Sequence, residues 1–220
     1  MDRSVAESWG SIIQWLEEHL PHALEHLQPP ASWSEISTLR AAMDRRLPSD
    51  LIAWLSLNNG FGWKADFGRL LPFLYIPMGI DRMLRDREML RTVTATVFPE
   101  RSLAGEQAPA GSGSFEWLDG FLPIGDAGTD IHLFVDLREG EQFGCVSTFD
   151  NESEASSVPD WFSIGEMLAD VADALTLNQP APQDHGRRYH ASMRFPDRPP
   201  HGWRPYIDEN RLRWELVALD

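Results

Sequence analysis

Apolar residues recur every three or four positions over the first sixty residues, and the interval shortens toward alternation beyond them. Trp9, Ile12, Ile13, Leu16, Leu20, Leu24 and Leu27 carry the helical interval, which predicts a helix over 8–27. Pro21 falls inside that segment and should kink or divide it, and Pro29-Pro30 ends it. Ser32 and Glu35 stand at capping-box spacing ahead of Ile36, Leu39 and Met43, predicting a second helix. Pro48 opens a third, where its missing N–H is harmless, and Leu51, Trp54 and Leu55 face inward. Asn58-Asn59-Gly60 should stop it, because Asn and Gly accept the left-handed backbone after a last turn.

From Phe61 the period changes. Residues 61–63 and 69–76 read as strands, and 80–93 as a helix with Met83, Leu84 and Leu90 inside. Residues 99–114 hold Pro, Ala, Gly and Ser without periodicity and read as a surface loop. Three runs at 121–124, 131–137 and 144–149, separated by turns, predict an antiparallel meander. An acidic loop over 150–157 leads to Ser163, which with Glu166 caps a helix striped by Ile164, Met167, Leu168, Val171 and Leu175. Residues 178–200 read as a Pro-rich linker. Residues 205–208 and 212–217 suit a hairpin around Glu209-Asn210, with Leu212, Trp214 and Leu216 on one face. This order points to an α+β fold, a central and mostly antiparallel sheet flanked by helices. It is expected as one domain over 1–178, with an extension over 179–220 packing back on it.

Charge changes the picture more than composition does. The formal net charge is -15, and between Glu116 and Asp173 fourteen carboxylates face one cation, Arg138. Such a field repels nucleic acid and anionic headgroups and attracts basic partners. Acidity that only maintains solubility is the plainer explanation, but its segregation favours a basic partner. Cys145 is the single cysteine, so an internal disulfide is excluded, and its apolar run suits a buried thiol. The first residues lack an apolar signal core. The longest apolar stretch, 70–78, is short and broken by Pro72 and Pro77, which argues against a membrane span. A cytoplasmic location is therefore expected.

Candidate chemistry is sparse. His19, His22 and His26 have helical spacing that could bind a metal, but Pro21 interrupts them and a fourth ligand is not evident. A solvated helix flank is the stronger reading, and no metal or cofactor is expected. Asp126 to Asp130 has the look of a short calcium loop without its closing Glu, so a turn with Asx hydrogen bonds is favoured. Gly111-Ser-Gly-Ser114 lacks the ending of a phosphate loop. Cys145 with His132 in an adjacent strand could make a nucleophile and base, but nothing is placed to lower the thiol pKa. Arg82, Arg85, Arg87 and Arg91 cluster on one helix, interleaved with Asp81, Asp86 and Glu88, which is the pattern of a solvated face. Nucleic acid is disfavoured as a partner.

Several segments together resemble a known superfamily: the opening helix, Pro29 to Ile36, Leu47-Pro-Ser-Asp-Leu51 ending at Asn59-Gly60, Phe121-Leu-Pro-Ile-Gly125, the strand ending Val135-Asp-Leu137, Gly144-Cys-Val146 and the helix capped by Ser163. The order of these short motifs over roughly 8–177 is similar to the SUKH superfamily, in the Smi/Knr-like branch related to a fungal cell-wall assembly regulator. The resemblance implies an α+β domain, no catalytic residues, and a bacterial immunity protein that binds and inhibits a toxin. It also implies mainly structural roles for Pro48, Trp54, Asn59, Gly60, Pro123, Gly125 and Asp136. Asn59-Gly60 would be a helix stop, Gly125 would permit a tight turn, and Asp136 would bond backbone at a strand end.

The sequence thus suggests a non-enzymatic binder of a basic toxin domain, such as a nuclease whose cationic site normally holds phosphate. Asp126, Asp130, Glu152 and Glu154 are its candidate charges, and Trp117 and Trp161 its candidate aromatic anchors, against core packing as the alternative use of both Trp residues. A regulatory scaffold of the cell-wall regulator type is the second reading. A metal-dependent enzyme built on the three His residues is the third.

Overall fold

The N-terminal helices begin where side chains can satisfy their first backbone donors. In a computed structural model that describes residues 3–62, 68–72, 75–98, 103–128, 130–150, 155, 158–181 and 201–219, helix α1 spans Val5–His19 behind the N-cap Ser4. Ser4 Oγ accepts from Glu7 N at 3.2 Å, and Glu7 Oε2 accepts from Ser4 N at 2.8 Å. That capping box starts the helix three residues before the apolar stripe does. Pro21 divides the segment, as expected, and a 3-10 turn covers Pro21–His26. Helix α2, Trp33–Met43, carries the same reciprocal box on Ser32 and Glu35. Its buried residues are Ile36, Leu39 and Met43. Helix α3, Ser49–Leu55, starts at Pro48 and buries Leu51, Trp54 and Leu55.

Beyond α3 the sheet is smaller than its apolar sequence suggests. Of the strand expected over 69–76, residues 73 and 74 lie outside the described residues; among the others Leu71 and Tyr75 form an isolated bridge with each other, and only Ile76–Pro77 joins the sheet, as β1. Residues 61 and 62 form only an isolated bridge from Phe61 to Leu27, and Trp63 lies outside the described residues. Helix α4, Ile80–Val97, follows, then the short α5, Leu103–Gln107, inside the segment read as a loop.

Strands β2 (Phe121–Asp126), β3 (Ile131–Asp136) and β4 (Val146–Asp150) complete an antiparallel meander in the order β1-β2-β3-β4. The β2–β3 register shifts between Pro123 and Gly125, where Pro123 cannot donate to the ladder. Helix α6, Ile164–Leu177, is capped by Ser163 and packs against α1.

Both faces of the sheet are covered. Leu122, Ile124, Leu133, Val135 and Val146 join the helices in the main core, where Trp9 meets Trp54 edge to face at 6.0 Å. Phe121, Phe134 and Phe149 point the other way, around Trp117 and Leu90. This double burial explains why β3 reads almost continuously apolar. The C-terminal strands β5 (His201–Asp208) and β6 (Arg211–Ala218) form a separate two-stranded sheet. Glu209 and Asn210 turn it with φ of 48° and 60°, the left-handed pair of a tight hairpin. Leu212 enters the main core, Trp214 Nε1 donates to Arg69 O at 2.8 Å, and Trp203 pairs with Ala181. Leu216, on the same face of β6 as Leu212 and Trp214, is exposed.

Candidate protein-binding surface

Three carboxylates gather at one end of the meander. Asp126 closes β2, Asp130 precedes β3 and Asp150 closes β4; the register pairs Asp126 with His132 and Ile131 with Asp150. Antiparallel pairing therefore brings together acids spread over 25 positions of sequence. Their environments differ. Asp130 is exposed. Asp126 is an ion-pair partner of Arg82 on α4, and Arg82 Nε also donates to Asp86 Oδ2 at 3.3 Å. Its other oxygen accepts from Gly128 N at 3.0 Å, so the expected Asx turn is present. Asp126 is thus an already paired charge, unlike the exposed Asp130. Glu152 and Glu154, which follow from the end of β4, lie outside the described residues. Next to these acids His132 is buried; desolvation pushes its pKa below the ordinary 6.5, outweighing the pull of Asp126 and Asp86.

The two candidate anchors belong to the core. Trp117 is fully buried and makes edge contacts with Phe121, Phe134 and Phe149 at centroid distances of 5.7, 5.8 and 5.2 Å. Trp161 is 4 % exposed, and its Nε1 donates to Asp170 Oδ2 at 2.9 Å. An indole held this way cannot insert into a partner, so the core alternative stands for both.

The motif residues act as joints between elements. Pro48 lies against Gly144, where a Cβ would stand 2.9 Å from its ring. Trp54 is buried in the main core. Asn59 does more than stop a helix: its Oδ1 accepts from Ile80 N at 2.9 Å at the start of α4, and its Nδ2 donates to Glu35 Oε1 at 3.1 Å. Gly60 is left-handed at φ 80°, and a Cβ there would lie 2.3 Å from Gly79 N. Pro123 marks the bulge described above. Gly125 makes no tight turn, contrary to expectation; it lies within β2, where a Cβ would meet Tyr75 Cβ at 3.1 Å and Leu133 Cβ at 3.2 Å. Asp136 bonds backbone as expected, accepting from Arg138 N at 3.0 Å and Gly111 N at 2.9 Å.

Asp136 also makes a buried ion pair that sequence reasoning missed. Its carboxylate takes Arg138 Nη2 at 2.6 Å, with both side chains at most 2 % exposed. The same guanidinium donates to Gly105 O at 2.8 Å and Ser112 O at 2.7 Å, fastening the 103–112 segment beneath the sheet. Arg138 was visible only as the lone cation of the acidic stretch, and that was its signal.

The enzymatic alternatives find little support. His19 stacks on Trp15 at 4.6 Å, His22 contacts Asn210, and Pro21 parts the two helical turns that carry the triplet. Among the described residues no group of three or more His, Cys, Asp or Glu side chains could hold a metal ion. Cys145 is buried, with burial pushing its thiol up to about 12, where the nucleophilic thiolate is scarce at neutral pH. His132 pairs with Phe149 at the far end of the same strands, which overturns the imagined Cys–His pair. On α4, Arg82 and Arg91 are engaged by Asp86 and Glu88 of the helix and by Asp126 and Asp119 from outside it, and Arg87 is buried, so the expected solvated face does not hold for all four arginines. Among the described residues no helix is long and apolar enough to cross a membrane.

A helix-flanked antiparallel meander whose motif residues join elements defines a class of α+β domain. The sequence profile of the SMI1 / KNR4 family (SUKH-1) matches residues 30–170, and the chain belongs to that family. No curated protein matches the chain closely enough to add a relative.

Proposed function

We propose that this protein is a non-catalytic immunity-type binder that neutralises a basic toxin domain, and that contact is made through the acidic end of the meander. The observation that carries this reading is the convergence of Asp126, Asp130 and Asp150 on one sheet end, in a chain of net charge -15. Family membership supports a protein-interaction domain. Opposed charge speeds encounter and fixes register more than it adds raw affinity. Asp130 supplies exposed charge, Glu152 and Glu154 follow in sequence, and Asp126 and Arg82 form an ion-paired floor. A nuclease toxin suits this chemistry, because carboxylates can occupy a cationic site shaped for phosphate. The working location is the cytoplasm. The experiment is direct binding between the purified protein and the product of the gene adjacent to its own, using wild type and the triple variant Asp130→Lys, Glu152→Lys, Glu154→Lys. Loss of binding in the variant supports the reading; equal binding rejects the surface, and no binding by wild type rejects that toxin.

A further inference from the structure

On the side of α4 away from Asp126 lies a concavity of about 600 Å³ with a different character. Four arginines line it: Arg45 and Arg46, just beyond the end of α2, and Arg87 and Arg91, one turn apart on α4. In so acidic a chain such a gathering of cations needs a reason.

The pairing within it is incomplete. Arg91 Nε donates to Asp119 Oδ1 at 2.6 Å, and its Nη1 to Glu88 Oε2 at 3.0 Å. Arg45 Nη2 reaches Glu106 Oε2 at 3.3 Å. Arg87, however, is 8 % exposed, and among the described residues its Nη2 goes only to a neutral acceptor, Asp119 O, at 3.0 Å. Its buried Nε has no hydrogen-bond partner among the described residues. Arg46 lies over the Phe143 ring at 4.0 Å and forms no ion pair among the described residues. The remaining carboxylates of the lining, Asp44 and Glu139, are exposed at its rim. A buried guanidinium normally has a carboxylate or several acceptors, because an unsatisfied donor retains its full desolvation penalty. Burial, with a smaller push from the neighbouring Arg91, holds the Arg87 pKa down against the opposing pull of the Asp119, Glu88 and Glu106 carboxylates, none of which it pairs with directly among the described residues.

We propose that this concavity is a binding site for a compact oxyanion, a phosphate or carboxylate group, held by Arg87 and Arg91 with Arg46 at its edge. Guanidinium forks match the paired oxygens of both groups. The net charge of the whole chain repels an extended polyanion at long range, so a small group that acts at contact distance fits better than nucleic acid. The site goes beyond the acidic-surface reading and does not depend on it.

Inorganic phosphate and, separately, glutarate are titrated into the full-length protein at fixed ionic strength set with chloride, following the Arg Nε–H signals by NMR. Saturable movement of the Arg87 signal is expected with at least one of them. Response to phosphate alone assigns the site to phosphate groups, response to glutarate alone to carboxylates, and response to both means that the site does not discriminate. Affinity should fall about tenfold or more in Arg87→Gln, and measurably in Arg46→Gln, since charged hydrogen bonds are the strong ones. Arg85→Gln, on the same helix but outside this lining, should bind as wild type does. Arg46→Gln alters an exposed side chain, so it remains informative if Arg87→Gln fails to fold. No saturable response to either probe, or unchanged affinity in Arg46→Gln and any folded Arg87→Gln, overturns the proposal.

Discussion

At the scale of single residues, Asp136 carries several buried contacts at once. It neutralises Arg138, accepts from Gly111 N and sits at the end of β3. Removing one partner of a buried pair leaves an uncompensated charge, whereas removing both can be nearly neutral. Asp136→Ala should therefore destabilise the fold by about 3–5 kcal/mol in urea denaturation. The double variant Asp136→Leu, Arg138→Met should lose less than the single variant. A double variant at least as unstable as the single would show that the backbone contacts of the pair matter more than its charge. The sequence displayed both residues but not their pairing. Asp136 could be placed at a strand end, yet the guanidinium's other acceptors, Gly105 O and Ser112 O, come from a segment without periodicity. Trp117 and Trp161 failed as anchors for a related reason. An indole reads the same in sequence whether its neighbours are solvent or, as here, three Phe rings and an aspartate.

At the scale of elements, legibility followed local chemistry. The Ser32–Glu35 box, the division at Pro21 and the Ser163 cap need only residues within four positions, and all three are present. Of the strand expected over 69–76 only Ile76 enters the sheet, and among the described residues the apolar side chains before it are buried without joining the sheet. Leu70, Leu71 and Tyr75 all reach the core from a turn that contains Pro72. The capping box on Ser4 stands ahead of the apolar stripe, so the stripe alone marks the helix too late. Asn59 shows the limit most clearly. Its place after α3 suggested a helix stop, while its bonds to Ile80 N and Glu35 join the starts of α4 and α2. Asn59→Ala should cost about 1 kcal/mol of stability, the usual worth of a helix-start acceptor. Hydrogen exchange should speed up in the first turn of α4 with little change in α6; uniform acceleration across both helices would contradict a local joint.

At the scale of the whole molecule, charge and burial together set the response to pH. His132 is buried with its pKa below 6.5, so the folded state resists a proton that the unfolded chain accepts. The unfolded state then binds more protons, and stability falls as pH drops from about 6.5 through the lower folded pKa. Above 6.5 the contribution is fully present. Glu7 and Glu35, held below the ordinary 4.5 by their capping serines, act only in a lower window. Urea midpoints should decline between pH 7 and pH 5.5 in wild type and decline less in His132→Gln; parallel curves would remove His132 as the cause.

The same acidic sheet end that surrounds His132 carries the functional claim. Its most direct test is the affinity of the adjacent gene's product for this protein across a salt series from about 0.05 to 0.5 M, a range over which the Debye length shortens severalfold. Association should slow steeply with salt in wild type, and the Asp130, Glu152 and Glu154 reversal should lose at least about tenfold in low-salt affinity. Tight binding that ignores both salt and charge reversal would contradict the functional claim.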